Sequence, residues 1–283
     1  MLINTKSIAF LLATVALFGC DSGQNNSANP SVKQRSNDEQ AVLSILYQQT
    51  AAEYQALCHQ AYNMARLRLD MALKGEKANW DKVIITDLDE TALDNSDFYG
   101  WLYENNMTYS ESSWTEWVEL RQANPIPGSV SFFQYADSME VNVFYISNRD
   151  TSHVNATKAN LEAFGFPQTK KENMLFKAET SSKVARRKVV EDKYTEQNIL
   201  MLLGDNLNDF HSFYDKKYPN ADIKRKVDSV KRSWGKKFIV FPNANYGDWD
   251  FRLYDYKFSE NIQFKDSMRL LNLRSVKGMP SGN

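Results

Sequence analysis

Apolar positions along the chain change period several times, and each change marks an element. Between Asp38 and about Lys74 they recur at helical intervals, at Val42, Leu43, Leu46, Tyr47, Tyr54, Leu57, Met64, Leu67 and Met71. That spacing predicts one long helix or two stacked ones, stopped at Gly75. Val83-Ile84-Ile85-Thr86-Asp87 is short, continuous and β-branched, which predicts a strand buried on both faces. Strands are also predicted at Val141–Ile146, Met174–Phe176, Ile199–Leu203 and Phe238–Phe241. Helices are predicted at Ser129–Met139, at Val154–Phe164 before Gly165, and from Ser181 to Val190. Strands alternating with helices predict an α/β fold, a parallel sheet flanked by helices. Asp97–Gly128 departs from this rhythm, being aromatic and charged. There Ser113-x-x-Glu116 predicts a capping box opening a short helix, and Pro125-Ile126-Pro127-Gly128 closes the segment. A smaller helical cap lobe is therefore expected from 38–80 and 97–128, on a core beginning near residue 81.

The first residues follow a different logic. Lys6 precedes an apolar run from Ile8 to Phe18, and Leu17-Phe18-Gly19-Cys20 ends it. The run is shorter than the roughly 18 residues a bilayer span needs and fits a secretory leader over 1–19. A cysteine at the cleavage point resembles the bacterial lipobox, which makes Cys20 the expected site of lipidation. Asp21–Asn37 is rich in Ser, Asn and Gln and almost free of apolar residues, so 20–37 is expected to be a flexible tether. The folded domain is then 38–283.

Charge narrows the class. Lys plus Arg (34) nearly balance Asp plus Glu (35), so the basic surplus of a nucleic-acid binder is missing. A small phosphorylated ligand needs only a local basic spot. Of two cysteines, Cys20 belongs to the leader and Cys58 to a helical stretch where its burial is expected, which gives no disulfide framework. His59, His153 and His211 are scattered, without zinc-type spacing.

Candidate chemistry falls at the predicted strand ends, where ligands bind in such sheets. Asp87-Leu88-Asp89-Glu90-Thr91 puts two carboxylates where a buried strand runs out. Burying such charge is costly, and a hard cation with oxygen ligands would compensate it. One aspartate could attack phosphorus, and the other could protonate the leaving oxygen and then activate water. Ser147-Asn148-Arg149 offers a hydroxyl and free backbone N–H groups for a phosphate oxygen. Lys183 lies near a predicted helix start, where a lysine gains from a nearby anion rather than from the macrodipole. In Gly204-Asp205-Asn206-Leu207-Asn208-Asp209, Gly204 allows a tight turn and Asp205 points at the same edge as Asp87.

These clusters, in this order, resemble the phosphatases of the haloacid-dehalogenase superfamily. More narrowly, the chain is similar to the class C acid phosphatases of the bacterial lipoprotein e family. The segments that carry the resemblance are ITDLDETALDNS, IPGSVSFFQYADS, FYISNRD, SSKVAR, ILMLLGDNLNDF and KKFIVFPNANYGDW, spanning about Asp81 to Trp249. The resemblance implies Asp87 as nucleophile and Asp89 as general acid/base. It implies Mg2+ bound by Asp87, the Asp89 carbonyl and Asp205, with Asp209 orienting the ion's waters. Thr91 would steady the aspartate loop, while Ser147, Asn148 and Lys183 would hold the phosphoryl group. Family members take nucleoside monophosphates, including nicotinamide mononucleotide, between aromatic rings. The aligned positions are Trp114 and Tyr246, with Trp117 and Trp249 nearby. Ala92 and Phe98 depart from the family's usual Met or Val and Tyr. The resemblance further implies a lipid anchor on Cys20 in a bacterial cell envelope, and family members tend to be homodimers. An alternative left open is a surface lipoprotein binding haem or a nucleotide without turnover. Such a relic is expected to lose Asp87, Asp89 or Asp205, and this chain keeps all three.

Overall fold

A computed structural model describes residues 41–215 and 218–276. The leader, Cys20 and the tether lie outside the described residues. The chain opens with α1 (Ala41–Thr50) and α2 (Ala52–Leu73), then enters β1 (Val83–Thr86). A lobe follows, made of β2 (Leu93–Asp94), α3 (Ser96–Glu104), α4 (Glu111–Leu120) and β3 (Asn124–Pro125). The chain returns through α5 (Ser129–Ser138), β4 (Asn142–Asp150), α6 (Val154–Ala163), β5 (Met174–Lys177), α7 (Val184–Lys193) and β6 (Ile199–Gly204). It ends with α8 (Asn220–Ser229), β7 (Phe238–Val240), α9 (Asp248–Phe251) and α10 (Ile262–Leu271).

Five strands form one sheet in the order β5-β4-β1-β6-β7, with every pairing parallel. This is the expected haloacid-dehalogenase-like α/β sheet. β1 sits at the centre, between β4 and β6, where successive crossovers go to opposite sides. Such a switch point leaves a crevice beyond the strand ends. The continuous apolar run of β1 follows from burial on both faces. Ile84 joins the core cluster under α2, α5 and α6, and Ile85 joins the opposite cluster with Val190 and Phe210. β2 and β3 pair antiparallel, Leu93 with Pro125 and Asp94 with Asn124, and close the stem of the lobe.

Several expectations need correction. Of the apolar positions expected along α2, Tyr54 lies on the buried face and Met64 packs against the core, but the others mark the wrong stripe. The buried face is Tyr54, Cys58, Tyr62, Ala65, Leu69 and Leu73, whereas Leu57, Leu67 and Met71 are exposed. Small Cys58 and Ala65 let the helix lie close to the sheet, and bulk did not mark the inner face. α2 packs on α5, β6 and β7, so it flanks the sheet, while α1 packs on α3. The lobe therefore takes only α1 from the 38–80 segment. The capping box of α4 is Ser110 with Ser113, not Ser113 with Glu116. The Ser110 Oγ accepts from Ser113 N at 3.1 Å, and Ser113 Oγ accepts from Ser110 N at 3.3 Å. α7 begins at Val184, because the Ser182 hydroxyl donates to Asp215 at 2.7 Å and holds Thr180–Lys183 as a loop. β4 runs on through Ser147 to Asp150. No described helix is long and apolar enough to cross a membrane.

Candidate active site

The end of β1 is pinned before it turns. Asp87 N donates to the Leu203 carbonyl of β6 at 2.9 Å, so Asp87 keeps the strand's direction. The Leu88 carbonyl then accepts from the N–H groups of Thr91, Ala92 and Leu93, which folds the chain back sharply. Glu90 takes φ +56° in that turn, the left-handed region. Thr91 is buried, and its carbonyl accepts from Tyr62 Oη at 2.7 Å, tying the turn to α2.

Asp87, Asp205 and Asp209 come together at the sheet edge, with carboxylate oxygens within 4.8 Å of one another. Lys183 Nζ lies 2.6 Å from Asp87 Oδ1 and 2.5 Å from Asp209 Oδ1. Asp205 Oδ2 accepts from Asn243 Nδ2 at 2.7 Å, and Asp209 Oδ2 accepts from Asn206 N at 2.9 Å. Gly204 is needed for a reason other than a tight turn. A β-carbon there would collide with the Asp209 carboxylate, whose side chain occupies that space.

Burial raises the Asp87 carboxyl to about 7, against the Lys183 ammonium and with Asp209 and Asp89 adding to the rise. Desolvation, then Asp209 and Asp87, lift Asp205 well above the usual carboxylate range. Burial alone would lower the Lys183 ammonium, but Asp209 and Asp87 hold it above its usual range. One ammonium does not balance three converging carboxylates. A divalent cation fits this donor set: hard oxygens, buried, with negative charge to spare.

Asp89 takes a different path. Its side chain leaves the triad and meets Arg149, whose Nε and Nη2 donate to Oδ1 at 3.0 and 2.8 Å. Ser147 Oγ donates to Asp89 Oδ2 at 3.3 Å and accepts from Arg149 N at 3.0 Å. Asn148 is exposed at the rim, and its Oδ1 accepts from Arg186 Nη2 at 2.6 Å. Arg186 also donates to the carbonyls of Ser147, Ser181 and Ser182, stitching the β4 end to the Lys183 loop.

The aromatic positions flank this turn. Trp114 is buried in the lobe with Phe98, 5.3 Å between centroids, and faces the Arg149 guanidinium at 5.5 Å. Tyr246 lies 5.0 Å from Tyr99, and its hydroxyl meets the buried carboxyl of Glu90. Burial, with Asp89 second, raises Glu90 to about 8. Trp117 is a lobe core residue whose Nε1 donates to Asn95 Oδ1 at 2.9 Å. Trp249 is exposed. Sequence reasoning missed Glu90, Asn95, Arg149 and Asn243. Asn243 follows β7, so the strand-end rule that found Asp205 applies to it as well. Glu90 and Arg149 stand in the strand-end motifs, but Tyr246 and Asp89, which they meet, come from distant segments; Asn95 lies five residues from Glu90 and follows no core strand.

A family model for the acid phosphatases of haloacid-dehalogenase subfamily IIIB matches residues 6–249. Two solved structures of the class C acid phosphatase from Bacillus anthracis, one with tungstate bound, are similar to this chain. Each is 39% identical, covers 84% of this chain and 98% of its own, and superposes with a TM-score of 0.77. Asp87, Asp89 and Asp205, of which a binding-only relic would lose at least one, are all present, and Asp87 and Asp205 lie together. The chain belongs to the class C acid phosphatases of the haloacid-dehalogenase superfamily, subfamily IIIB, and is a phosphomonoesterase.

Proposed function

We propose that this phosphomonoesterase works through an aspartyl-phosphate on Asp87, depends on Mg2+, and takes nucleoside 5′-monophosphates or nicotinamide mononucleotide. The carboxylate triad with Lys183 between two of its members is the observation that carries the reading. An Asp87 oxygen attacks phosphorus, and the ester oxygen leaves with a proton from Asp89. Asp89 then takes a proton from water, which attacks the aspartyl-phosphate, and inorganic phosphate departs with Asp87 regenerated. Lys183 stabilises charge on the phosphoryl oxygens, and Ser147 and Asn148 border the same edge. Asp87 and Asp205 would hold Mg2+, with Asp209 beside them and the Asp89 carbonyl as a further ligand. When bound, the ion would neutralise the phosphoryl group and favour the ionised forms of Asp87 and Asp205.

The substrate class rests on the rings. Trp114 and Tyr246 approach the catalytic turn at neighbouring residues, through Arg149 and at Glu90. Stacking on such rings is worth roughly 1–3 kcal/mol per base and tolerates different bases. A panel of nucleoside monophosphates, nicotinamide mononucleotide, a sugar phosphate and an aryl phosphate, with and without Mg2+, tests this. Mg2+-dependent release fastest from nucleotides is expected. Release from the aryl phosphate alone would keep the chemistry and remove the nucleotide. The lipobox-like LFGC sequence supports anchoring through Cys20 in the cell envelope. Labelled palmitate should enter the wild-type chain and not Cys20→Ser.

A further inference from the structure

Asp89 is held unevenly. Its Oδ1 receives Arg149 Nε at 3.0 Å, Arg149 Nη2 at 2.8 Å and Asn95 Nδ2 at 3.0 Å. Its Oδ2 receives Ser147 Oγ at 3.3 Å. A carboxylate oxygen with three close donors has no lone pair left for a proton, so Oδ1 is filled. The donors are themselves fixed. Trp117 Nε1 can only donate, and it lies 2.9 Å from Asn95 Oδ1, which forces the Asn95 amide nitrogen toward Asp89. Arg149 is 2% exposed, and its Nη1 donates to the buried Thr157 Oγ1 at 3.0 Å. Trp114 covers the guanidinium from the lobe side. A planar fork locked on one side by α6 and on the other by an aromatic ring cannot swing without breaking several contacts.

We propose that Arg149 is the positioning residue for Asp89: it fills Oδ1, turns Oδ2 toward the reacting oxygen, and so selects the carboxylate oxygen that moves the proton. The proposal rests on Asp89 being the general acid and base of the reaction. It also gives the lobe a part in the chemistry. α4 supplies Trp114 against Arg149 and Trp117 against Asn95, so lobe packing sets the aim of a core residue.

The test compares two substrates that differ in their need for a proton. A nitrophenyl phosphate leaves as a stabilised anion, while a simple alkyl phosphate requires protonation as it departs. For Arg149→Met, kcat/KM on the alkyl phosphate should fall about tenfold or more beyond its fall on the nitrophenyl phosphate. Thr157→Val removes only the anchor of the guanidinium and should show the same bias at roughly two- to fivefold, which keeps the test open if Arg149→Met does not fold. Equal losses on both substrates in whichever of these variants folds overturn the proposal. Asp89→Asn, measured on the same pair, separates the two layers. A bias there without one in the Arg149 and Thr157 variants removes Arg149's part alone. No bias in Asp89→Asn removes the acid–base reading beneath it.

Discussion

Asp87 and Asp89 leave one strand end two residues apart and finish in opposite company. Asp87 looks into the sheet edge, toward Lys183, Asp205 and Asp209, where negative charge exceeds positive and its carboxyl is raised to about 7. Asp89 looks toward the lobe, where a guanidinium, an amide and a hydroxyl donate to it. The first environment is incomplete without a cation. The second is complete within the chain. A turn of one intervening residue, Leu88, thus splits a carboxylate pair into a group inside the acidic triad and one held by donors. Two identical side chains acquire different environments from their surroundings alone.

Changes to the Asp87 side should have the largest effects and should not distinguish leaving groups. Lys183→Met removes the only ammonium that touches two triad members among the described residues. It should lower kcat by roughly 10²- to 10³-fold on alkyl and aryl phosphates alike. A loss confined to alkyl phosphates would blur the division between the two aspartates. Asp209→Asn keeps the size of the side chain and removes one triad charge. Titration of activity with Mg2+ should show about 10- to 100-fold weaker metal dependence. Unchanged metal affinity would place Asp209 outside the site's charge balance.

The lobe side should give smaller, substrate-selective effects. Tyr246→Leu removes a ring and the hydroxyl that meets Glu90. KM for a nucleoside monophosphate should rise roughly tenfold, with kcat/KM for a small alkyl phosphate changed less than about threefold. Equal changes on both would assign Tyr246 to the fold of the turn. The smallest effect is on stability. Glu90 is raised to about 8 by burial and by Asp89, above the roughly 4.3 of an unfolded chain. The folded state therefore keeps a proton that the unfolded state releases, so stability contributed at low pH is lost as pH rises through this window. Glu90→Gln should flatten the denaturant midpoint between pH 5 and pH 8, and at pH 8 should stabilise by roughly 1–3 kcal/mol. Parallel pH profiles for variant and wild type would contradict the shift.

How much of this was legible in the sequence depended on the range of the cause. β1, β6 and the aspartates at their ends were legible, because an unbroken apolar run followed by carboxylates is a local conflict between burial and charge. The buried face of α2 was legible at Tyr54 and Cys58 but not further along, because Ala65 looks weaker than Leu67 until the sheet it approaches is known. The cap of α4 was displaced by three residues because Ser110 and Ser113 satisfy each other, a pairing that competes equally well with Ser113 and Glu116 on paper. Gly204 was read as a turn residue, and only the position of the Asp209 side chain gives its real constraint. Arg149 was quoted in its motif and left without a role, since Asp89 is 60 positions away in sequence.

Covalent catalysis at Asp87 can be checked by trapping the phosphorylated enzyme. Enzyme with Mg2+ would be mixed with phosphorus-labelled substrate, quenched in acid within a turnover, digested and mapped. A hydroxylamine-labile label is expected on the peptide carrying Asp87 and missing from Asp87→Asn. Release of phosphate with no label on the protein, or with label on a different residue, would contradict it.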